Sequence, residues 1–236
     1  MKWKNIWENR NSNFEAIDMT DAKAVFLELK RIDGFDVVGG GIPYISLVKQ
    51  NDGIVERLSN GKNLKSIFEV GCGCGANLYL LMNAGYEIGG IDYSSGLIDI
   101  AKKIFQDFSR ELICDEAINL PIDLEYDALF SNSVFSYFPS EKYTLDVLDK
   151  MFAKTKFSIG LIDVHDIEKK EKFIAYRRAN VEDYDTKYKD LEKTFYSKDL
   201  FRDWAIKNNC EVEFYASNVF GYWNSDFVFD VYFYKR

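Results

Sequence analysis

Three glycines at alternate positions, Gly71, Gly73 and Gly75, are the residues of this sequence that point most directly to chemistry. An apolar run containing Glu69 precedes them and the apolar stretch 76–84 follows, so the pattern predicts a strand, a tight turn and a buried helix. Alternating glycines expose backbone N–H groups, and the N-terminus of the following helix favours anionic groups. The stretch therefore predicts a site for a ligand with a carboxylate or phosphate, although a loop that merely turns the chain would also use glycines.

An acidic residue stands at the end of the next predicted strand. Residues 85–93 have the apolar character of a strand and include Asp92 near their end. A carboxylate there, about 20 residues after a glycine turn, is placed to accept hydrogen bonds from both hydroxyls of a ribose. The spacing predicts a ligand that contains a nucleoside, whereas the alternative for Asp92 is a solvated carboxylate.

Strand-like and helix-like segments alternate along most of the chain. Because parallel neighbours need crossover connections, five strand–helix units predict an α/β fold with a doubly wound, mostly parallel sheet. Two closing strands about ten residues apart should form an antiparallel hairpin. The predicted helix N-caps are Asp21, either Ser94 or Ser95, Ser140 and Ser197. The predicted strands cover 67–70, 85–93, 112–114, 126–131, 156–164, 211–216 and 227–235.

Residues 1–64 precede the first core strand and are predicted to form a helical extension. The segment 22–32 places apolar residues on one helical stripe, and a second helix is predicted over 46–58. The glycines and proline of 39–43 between them forbid regular structure, and this loop is either a lid or a surface crossing. Residues 65–236 are predicted to form the ligand-binding core.

Composition favours a small-molecule partner. The 236 residues are 47% hydrophobic and carry a formal net charge of -8. Such a chain can bury one large core, and its acidic balance argues against general binding to nucleic acids or anionic membranes. The N-terminus shows no apolar signal core and no apolar run reaches about 18 residues, which predicts a cytoplasmic location.

Cysteine and histidine usage predicts no metal site. Cys72 and Cys74 alternate with the glycines, but no second cluster of cysteine or histidine supplies further ligands. The single histidine is His165. We therefore expect neither zinc nor a disulfide framework.

Four segments in order resemble the motifs of the class I S-adenosylmethionine-dependent methyltransferases. They are EVGCGCGAN, GIDYS, EAINLPID and YDALFSNSVFSYFP, and the similarity covers roughly residues 65–165. The resemblance implies a Rossmann-like sheet of seven strands with the last one reversed. It also implies S-adenosylmethionine as cofactor, S-adenosylhomocysteine as product, and a role for residues 1–64 as a cap over the methyl acceptor.

The same resemblance implies a set of cofactor-binding residues. The glycine stretch would line the methionine part, Asp92 would bind the ribose and Tyr93 would lie against the adenine. In the family, the acidic residue that binds the adenine amino group stands at a fixed distance before the proline of this motif. Counting back from Pro121 gives this role to Glu116, and Asp115 is an open alternative. Asn132 and Ser133 would face the sulfonium. The full set is Glu69, Gly71, Cys72, Gly73, Gly75, Asp92, Tyr93, Asp115, Glu116, Ala117, Asn132 and Ser133.

Candidates for the acceptor side come from strand ends and the charged segment that follows the fifth strand. His165, at the predicted tip of that strand, could serve as general base for a hydroxyl. The resemblance implies that Tyr137 occupies a position whose side chain turns toward the acceptor. Either could instead be a bystander or core residue. Further candidates are Arg177 and Arg178 for an anionic acceptor, and Tyr222 and Asn224 in a specificity loop.

The predicted function is methyl transfer to a small molecule. Oxygen is favoured, and a sugar or phosphorylated metabolite of surface-glycan or secondary-metabolite synthesis in a bacterium is suggested by analogy alone. N-methylation and a non-catalytic module that binds S-adenosylmethionine remain open. A nicotinamide oxidoreductase is the other alternative, because Gly71, Gly73 and Ala76 also satisfy G-x-G-x-x-A. Glu69 before the turn and the predicted closing hairpin argue against it.

Overall fold

The structure is a computed structural model that describes residues 6–7, 10, 17–34, 41–106 and 109–236. Predictions that concern Gly39 and Gly40 lie outside these ranges. A seven-stranded sheet with the order β3-β2-β1-β4-β5-β7-β6 organises the described residues. Its strands are β1 (Ser66–Val70), β2 (Glu87–Asp92), β3 (Ser109–Cys114), β4 (Tyr126–Asn132), β5 (Thr155–His165), β6 (Cys210–Ala216) and β7 (Val228–Lys235).

Helices cover both faces of this sheet. Asp21, Ser94, Ser140 and Ser197 accept backbone hydrogen bonds as N-caps, which confirms the predicted helix starts. The helices are α1 (Ala22–Ile32), α2 (Tyr44–Ser59), α3 (Ala76–Asn83), α4 (Ser95–Phe105), α5 (Glu141–Lys154), α6 (Lys170–Asn180), α7 (Tyr184–Lys187) and α8 (Lys198–Lys207).

The strand directions confirm the predicted α/β fold class. Strands β1 to β5 pair in parallel, and β7 runs antiparallel to both β5 and β6. The last strand is therefore the reversed one, and β6 and β7 form the predicted hairpin. Because the chain goes from β1 outward to β2 and β3 and then returns to β4, the strand order changes direction between β1 and β4. Open α/β sheets bind ligands beyond the carboxyl ends of the strands at such a point.

The N-terminal helices share a core with the sheet. Val25, Phe26, Leu29 and Ile32 of α1 are fully buried and belong to the same apolar cluster as Ile67 of β1. This confirms the predicted apolar stripe of 22–32. The sheet's other face packs against α5 and α8 in a second cluster. The described part of residues 1–64 thus completes one face of the fold, and its role as a cap over an acceptor stays a prediction.

Strand β3 differs most from its predicted extent, and the other six strands differ by only one or two residues at an end. Strand β3 begins at Ser109, three residues before the predicted start, and β5 continues through His165. Strand β3 is only half-buried, so its polar first residues carry no apolar signal. Within the described ranges, no helix is both long and apolar enough to cross a membrane.

Candidate cofactor and acceptor site

The glycine turn joins β1 to α3 through three residues in left-handed backbone conformation. The φ angles are +75° at Gly71, +55° at Gly73 and +89° at Gly75. A side chain at Gly71 would collide with Val134, and one at Gly73 would collide with the Asp33 carboxylate. Both the backbone conformation and the limited space therefore require glycine at Gly71 and Gly73. The groups closest to these two glycines are side chains of the protein itself.

Asp33, directly after α1, binds the turn where a ligand anion was expected. Its Oδ1 accepts a hydrogen bond from the Cys74 backbone N–H at 2.9 Å, and the Ala76 N–H also contributes. Burial raises the pKa of this carboxyl. The expectation that the N-terminus of α3 is open to a ligand carboxylate or phosphate is therefore wrong for these two donors, because Asp33 already uses them.

Glu69 lies almost fully buried beside the turn with one unsatisfied oxygen. Lys30 Nζ donates to Asn77 Oδ1 at 2.8 Å, and Asn77 Nδ2 donates to Glu69 Oε1 at 2.6 Å. Among the described residues, Glu69 Oε2 has no hydrogen-bond partner. An unpaired buried carboxylate oxygen is costly, so this atom is suited to a ligand's ammonium group. Burial raises the pKa of Glu69 to about 8.

Asp92 connects the end of β2 to the glycine turn. Its Oδ2 accepts from the Gly73 N–H at 3.0 Å and its Oδ1 from the Ser94 N–H at 2.8 Å. Burial raises the pKa of Asp92 to about 6. Each carboxylate oxygen has two lone pairs, so both oxygens can accept a further bond from a ligand hydroxyl. The structure thus brings Asp92 and the glycines together as predicted.

The residues after β3 separate the two candidates for the adenine contact. Asp115 Oδ1 accepts from the Glu116 N–H at 2.7 Å and from Asn119 Nδ2 at 2.8 Å, so it organises its own turn. Ala117 is buried at the start of a short 3-10 helix. Glu116 is half-buried, and its negative charge also raises the pKa of Asp92. Glu116 therefore lies near Asp92, and its Oε2 accepts a long hydrogen bond of 3.5 Å from the Tyr143 hydroxyl. The role of Tyr93 against the adenine stays a prediction.

The ends of β4 and β5 are linked by polar contacts beside the turn. Ser133 has a φ of +61°, its N–H donates to the Ile162 carbonyl at 3.0 Å, and its hydroxyl donates to Asn132 Oδ1 at 3.2 Å. The Ser133 hydroxyl also lies within hydrogen-bond reach of Asp163. Since Val134 packs on Gly71, this polar group borders the glycine turn directly.

The loop between β6 and β7 reaches the same strand ends. Tyr222 donates its hydroxyl to Asp163 Oδ2 at 2.9 Å, and Asn224 Nδ2 donates to Asp163 Oδ1 at 3.1 Å. Tyr137 lies nearby, with its ring 6.0 Å from that of Trp7 and 4.7 Å from Lys193 Nζ. Asp163 was not among the predicted site residues. Its only sequence signal is its position near the end of the fifth strand.

His165 occupies the predicted strand tip but is enclosed by aromatic side chains. Its ring is fully buried, with edge contacts to Phe173 and Phe195 at 5.0 and 5.2 Å. Neither ring nitrogen has a hydrogen-bond partner among the described residues. Burial, helped by Lys193 and Arg177, lowers the pKa of His165 well below its usual value. The structure therefore does not place this imidazole where the prediction needs it.

The two predicted arginines have different environments. Arg177 is buried, with its guanidinium 4.7 to 5.3 Å from the ring centroids of Tyr184, Tyr188 and Trp223. Arg178 is exposed and pairs with Asp185 at 3.0 Å. Arg178 therefore matches the alternative of a solvated helix face. Arg177 points inward, although its partners are aromatic rings.

Comparisons with known proteins agree with this architecture. Residues 67–156 match the family described as methyltransferase domain. The malonyl-[acyl-carrier protein] O-methyltransferase of Priestia megaterium is 37% identical over 87 residues, which are 36% of this chain and 32% of that protein. The match thus spans about a third of that relative's length.

Solved structures with the same fold cover nearly the whole chain. Magnesium protoporphyrin IX methyltransferase of Synechocystis PCC 6803, with bound S-adenosylmethionine, has a TM-score of 0.60 at 14% identity and covers 94% of this chain and 99% of that one. A plantazolicin methyltransferase bound to S-adenosylhomocysteine has a TM-score of 0.64 at 14% identity, with coverage of 99% and 94%. The domain match identifies residues 67–156 as a methyltransferase domain, and the chain as a whole shares the fold of methyltransferases that bind S-adenosylmethionine or S-adenosylhomocysteine.

Proposed function

We propose that this chain transfers the methyl group of S-adenosylmethionine to an oxygen atom of a small-molecule acceptor. The observation that carries the proposal is a row of acidic side chains at the carboxyl ends of neighbouring strands. Glu69 offers an unpaired oxygen, Asp92 can accept further bonds, and Glu116 lies near Asp92. These three groups suit the cofactor's ammonium, ribose hydroxyls and adenine amino group in that order.

The protein's contribution to catalysis would consist mainly of positioning. When bound, S-adenosylmethionine supplies a methyl group on a positively charged sulfur, which is already a good leaving group. The side chains at the ends of β4 and β5 would hold the acceptor close to that methyl group and in line with the bond that breaks. Such alignment can supply much of a rate enhancement. Tyr137 and Ser133 border this space.

The name of the bacterial relative supports an oxygen acceptor. We also propose that the acceptor carries an anionic group. The bacterial relative is named as an O-methyltransferase. Lys193 lies beside Tyr137 and near Asp163, so a cation is available to an anionic group such as a sugar phosphate. An amine acceptor remains the alternative, because a neutral amine needs only positioning. A nicotinamide oxidoreductase is disfavoured by the carboxylate of Glu69 beside the turn.

The proposal is tested by measuring release of S-adenosylhomocysteine from S-adenosylmethionine with panels of phenols, sugars, phosphorylated sugars and amines. Turnover with hydroxyl compounds, and identification of a methyl ether or ester by mass spectrometry, would support O-methylation. Turnover with amines alone would contradict it. Binding of S-adenosylhomocysteine without turnover on any panel would favour a module that only binds the cofactor.

Affinity for S-adenosylhomocysteine should rise with pH between about 6 and 8. Burial raises the pKa of Glu69 to about 8 and that of Asp92 to about 6, and the ligand's donors require both groups as carboxylates. Protonation below each pKa therefore competes with binding, and we expect roughly a tenfold loss per pH unit below the pKa of Glu69. Isothermal titration calorimetry across this range measures the effect.

Glu69→Gln should bind S-adenosylhomocysteine weakly and lose the pH dependence near pH 8, while the exposed Asp99→Asn should behave like wild type. A flat profile in the wild-type protein would count against Glu69 as the ammonium ligand.

Replacing His165 with asparagine should change stability more than rate. A general base would lose about 100-fold in rate on this change. Because both ring nitrogens lack polar contacts and the ring packs against Phe173 and Phe195, we expect the rate to stay within about threefold. We also expect a melting temperature several degrees lower, since a polar amide would be buried among rings. A 100-fold loss at unchanged cofactor affinity would restore His165 as the base.

A further inference from the structure

Asp163 sits at an irregularity in β5 where the backbone is strained. The pairing of β5 with β7 shifts register between Leu161 and Val164, and Asp163 within this bulge has a φ of +63°. Ser133, at the end of neighbouring β4, also has a left-handed φ. Left-handed conformations are unfavourable for non-glycine residues and cluster at functional sites. Bulges likewise occur next to active sites, where they redirect a side chain.

The Asp163 side chain is held by hydrogen-bond donors from different parts of the chain. Only 4% of the residue is exposed. Tyr222 donates to Oδ2 and Asn224 donates to Oδ1, and the Ser133 hydroxyl lies close to the same carboxylate. The charge of Lys193 stabilises the ionised form. A carboxylate offers about four acceptor positions, so these two donors leave room for roughly two more.

A purely structural role explains this arrangement poorly. Burying a carboxylate is unfavourable even with good partners, and a well-packed apolar group is often as stable. The Asp163 N–H donates to Asp230 Oδ1 at 3.0 Å, so a second acidic side chain is used to hold the backbone of the bulge. The carboxylate itself lies beside Ser133, whose neighbour Val134 contacts the glycine turn. Asp163 thus links the loop between β6 and β7, through Tyr222 and Asn224, to the strand end that borders the glycine turn.

We propose that Asp163 is the base that accepts the proton of the methyl-accepting hydroxyl, an inference that rests on the proposed O-methylation. The acceptor oxygen forms a bond to the methyl carbon while the carbon–sulfur bond breaks. The electron pair of the broken carbon–sulfur bond stays on sulfur, which becomes the neutral thioether. The hydroxyl proton moves to Asp163 and later leaves to solvent. Tyr222, Asn224 and Ser133 orient the carboxylate. Burial raises the pKa of Asp163, which makes it a stronger base than an exposed aspartate.

A cofactor analogue tests this placement without knowledge of the acceptor. Sinefungin carries a protonated amine where S-adenosylmethionine carries its transferable methyl group, whereas S-adenosylhomocysteine carries nothing there. A carboxylate that faces the methyl position should therefore favour sinefungin. Calorimetry at pH 8 should show sinefungin binding on the order of tenfold tighter than S-adenosylhomocysteine in the wild-type protein. Asp163→Asn should abolish this preference. Asp166→Asn is the matched control, because Asp166 is equally buried but faces Lys198, and it should keep the preference.

The pH dependence of the preference provides a measurement on the native protein, should Asp163→Asn fail to fold. Protonation of Glu69 and Asp92 should change the affinity for both ligands equally, because sinefungin and S-adenosylhomocysteine carry the same ammonium group and ribose. Burial raises the pKa of Asp163, so lowering the pH should weaken the preference as its carboxylate is protonated. The other titratable groups around it are Tyr222, Lys193 and Asp230. Burial raises the pKa of Tyr222, so its hydroxyl keeps its proton, and Asp230→Asn identifies any contribution from Asp230.

Either of two results would overturn the inference. A preference for sinefungin that is independent of pH, or that persists in folded Asp163→Asn, would show that Asp163 does not face the methyl position. Binding of neither analogue by the wild-type protein would overturn the proposed function and the inference with it. In the first two cases the wild-type protein still binds a cofactor analogue. Failure of the inference can therefore be distinguished from failure of the proposed function.

Discussion

Gly73→Val should abolish detectable binding of S-adenosylhomocysteine. The residue has a φ of +55°, which a β-branched side chain adopts only with strain, and its new Cβ would collide with the Asp33 carboxylate. Relief of that clash moves Asp33 away from the Cys74 N–H or moves the turn away from Asp92. Either movement disrupts the turn that the cofactor must contact. Calorimetry should show affinity reduced by at least about 100-fold.

Gly61→Val is the matched control for backbone strain. Gly61 also has a positive φ, of +79°, but a side chain there would meet no neighbouring atom. The control should therefore lose some stability yet bind S-adenosylhomocysteine normally. Circular dichroism and thermal melting verify that both variants are folded. Wild-type affinity in a folded Gly73→Val protein would mean that the cofactor site lies elsewhere.

Asp92→Ala should weaken binding of S-adenosylhomocysteine by about 2 kcal/mol or more, or roughly 30-fold. Both ribose hydroxyls would lose their acceptor, and the Gly73 N–H, 3.0 Å from Oδ2, would lose its partner as well. Asp92→Asn keeps an oxygen that can accept from one donor, and it should fall between wild type and Asp92→Ala. Asp99→Ala, an exposed change on the adjacent helix α4, should have no effect.

The discriminating ligand for Asp92 is one that lacks the ribose. Methionine or homocysteine alone should bind wild type and Asp92→Ala with the same weak affinity, because neither offers a ribose hydroxyl. If Asp92→Ala instead weakened these fragments as strongly as the nucleoside, its main role would be to brace the glycine turn. Unchanged affinity for S-adenosylhomocysteine would remove Asp92 from the site altogether.

The local features of this fold were predictable because they depend on short-range periodicity. The strand–turn–helix unit at the glycines and the serine caps at 94, 140 and 197 follow from residues within a few positions of each other. The closing hairpin follows from a short connection between two apolar runs. The carboxylate of Asp92 could also be placed, since parallel strands bring their carboxyl ends to one edge.

The parts of the site that escaped prediction depend on contacts between distant segments. Asp33 reaches Cys74 across 41 residues, and Asp163 meets Tyr222 across 59. No periodicity in the chain signals that α1 docks on the glycine turn or that β5 carries a bulge. His165 was assigned from its strand position alone, and the aromatic side chains that enclose it come from later segments of the chain.

The central claim is that the row of carboxylates forms a site for S-adenosylmethionine. Thermal melting of the wild-type protein with S-adenosylhomocysteine, NAD or NADP, each at about 100 times its expected Kd, tests it directly, because a ligand at that excess adds about 2.7 kcal/mol to the free energy of unfolding. We predict a clear rise in melting temperature with S-adenosylhomocysteine and none with the nicotinamide nucleotides, and loss of the rise in Asp92→Ala. Stabilisation by NAD or NADP with no response to S-adenosylhomocysteine would contradict the account.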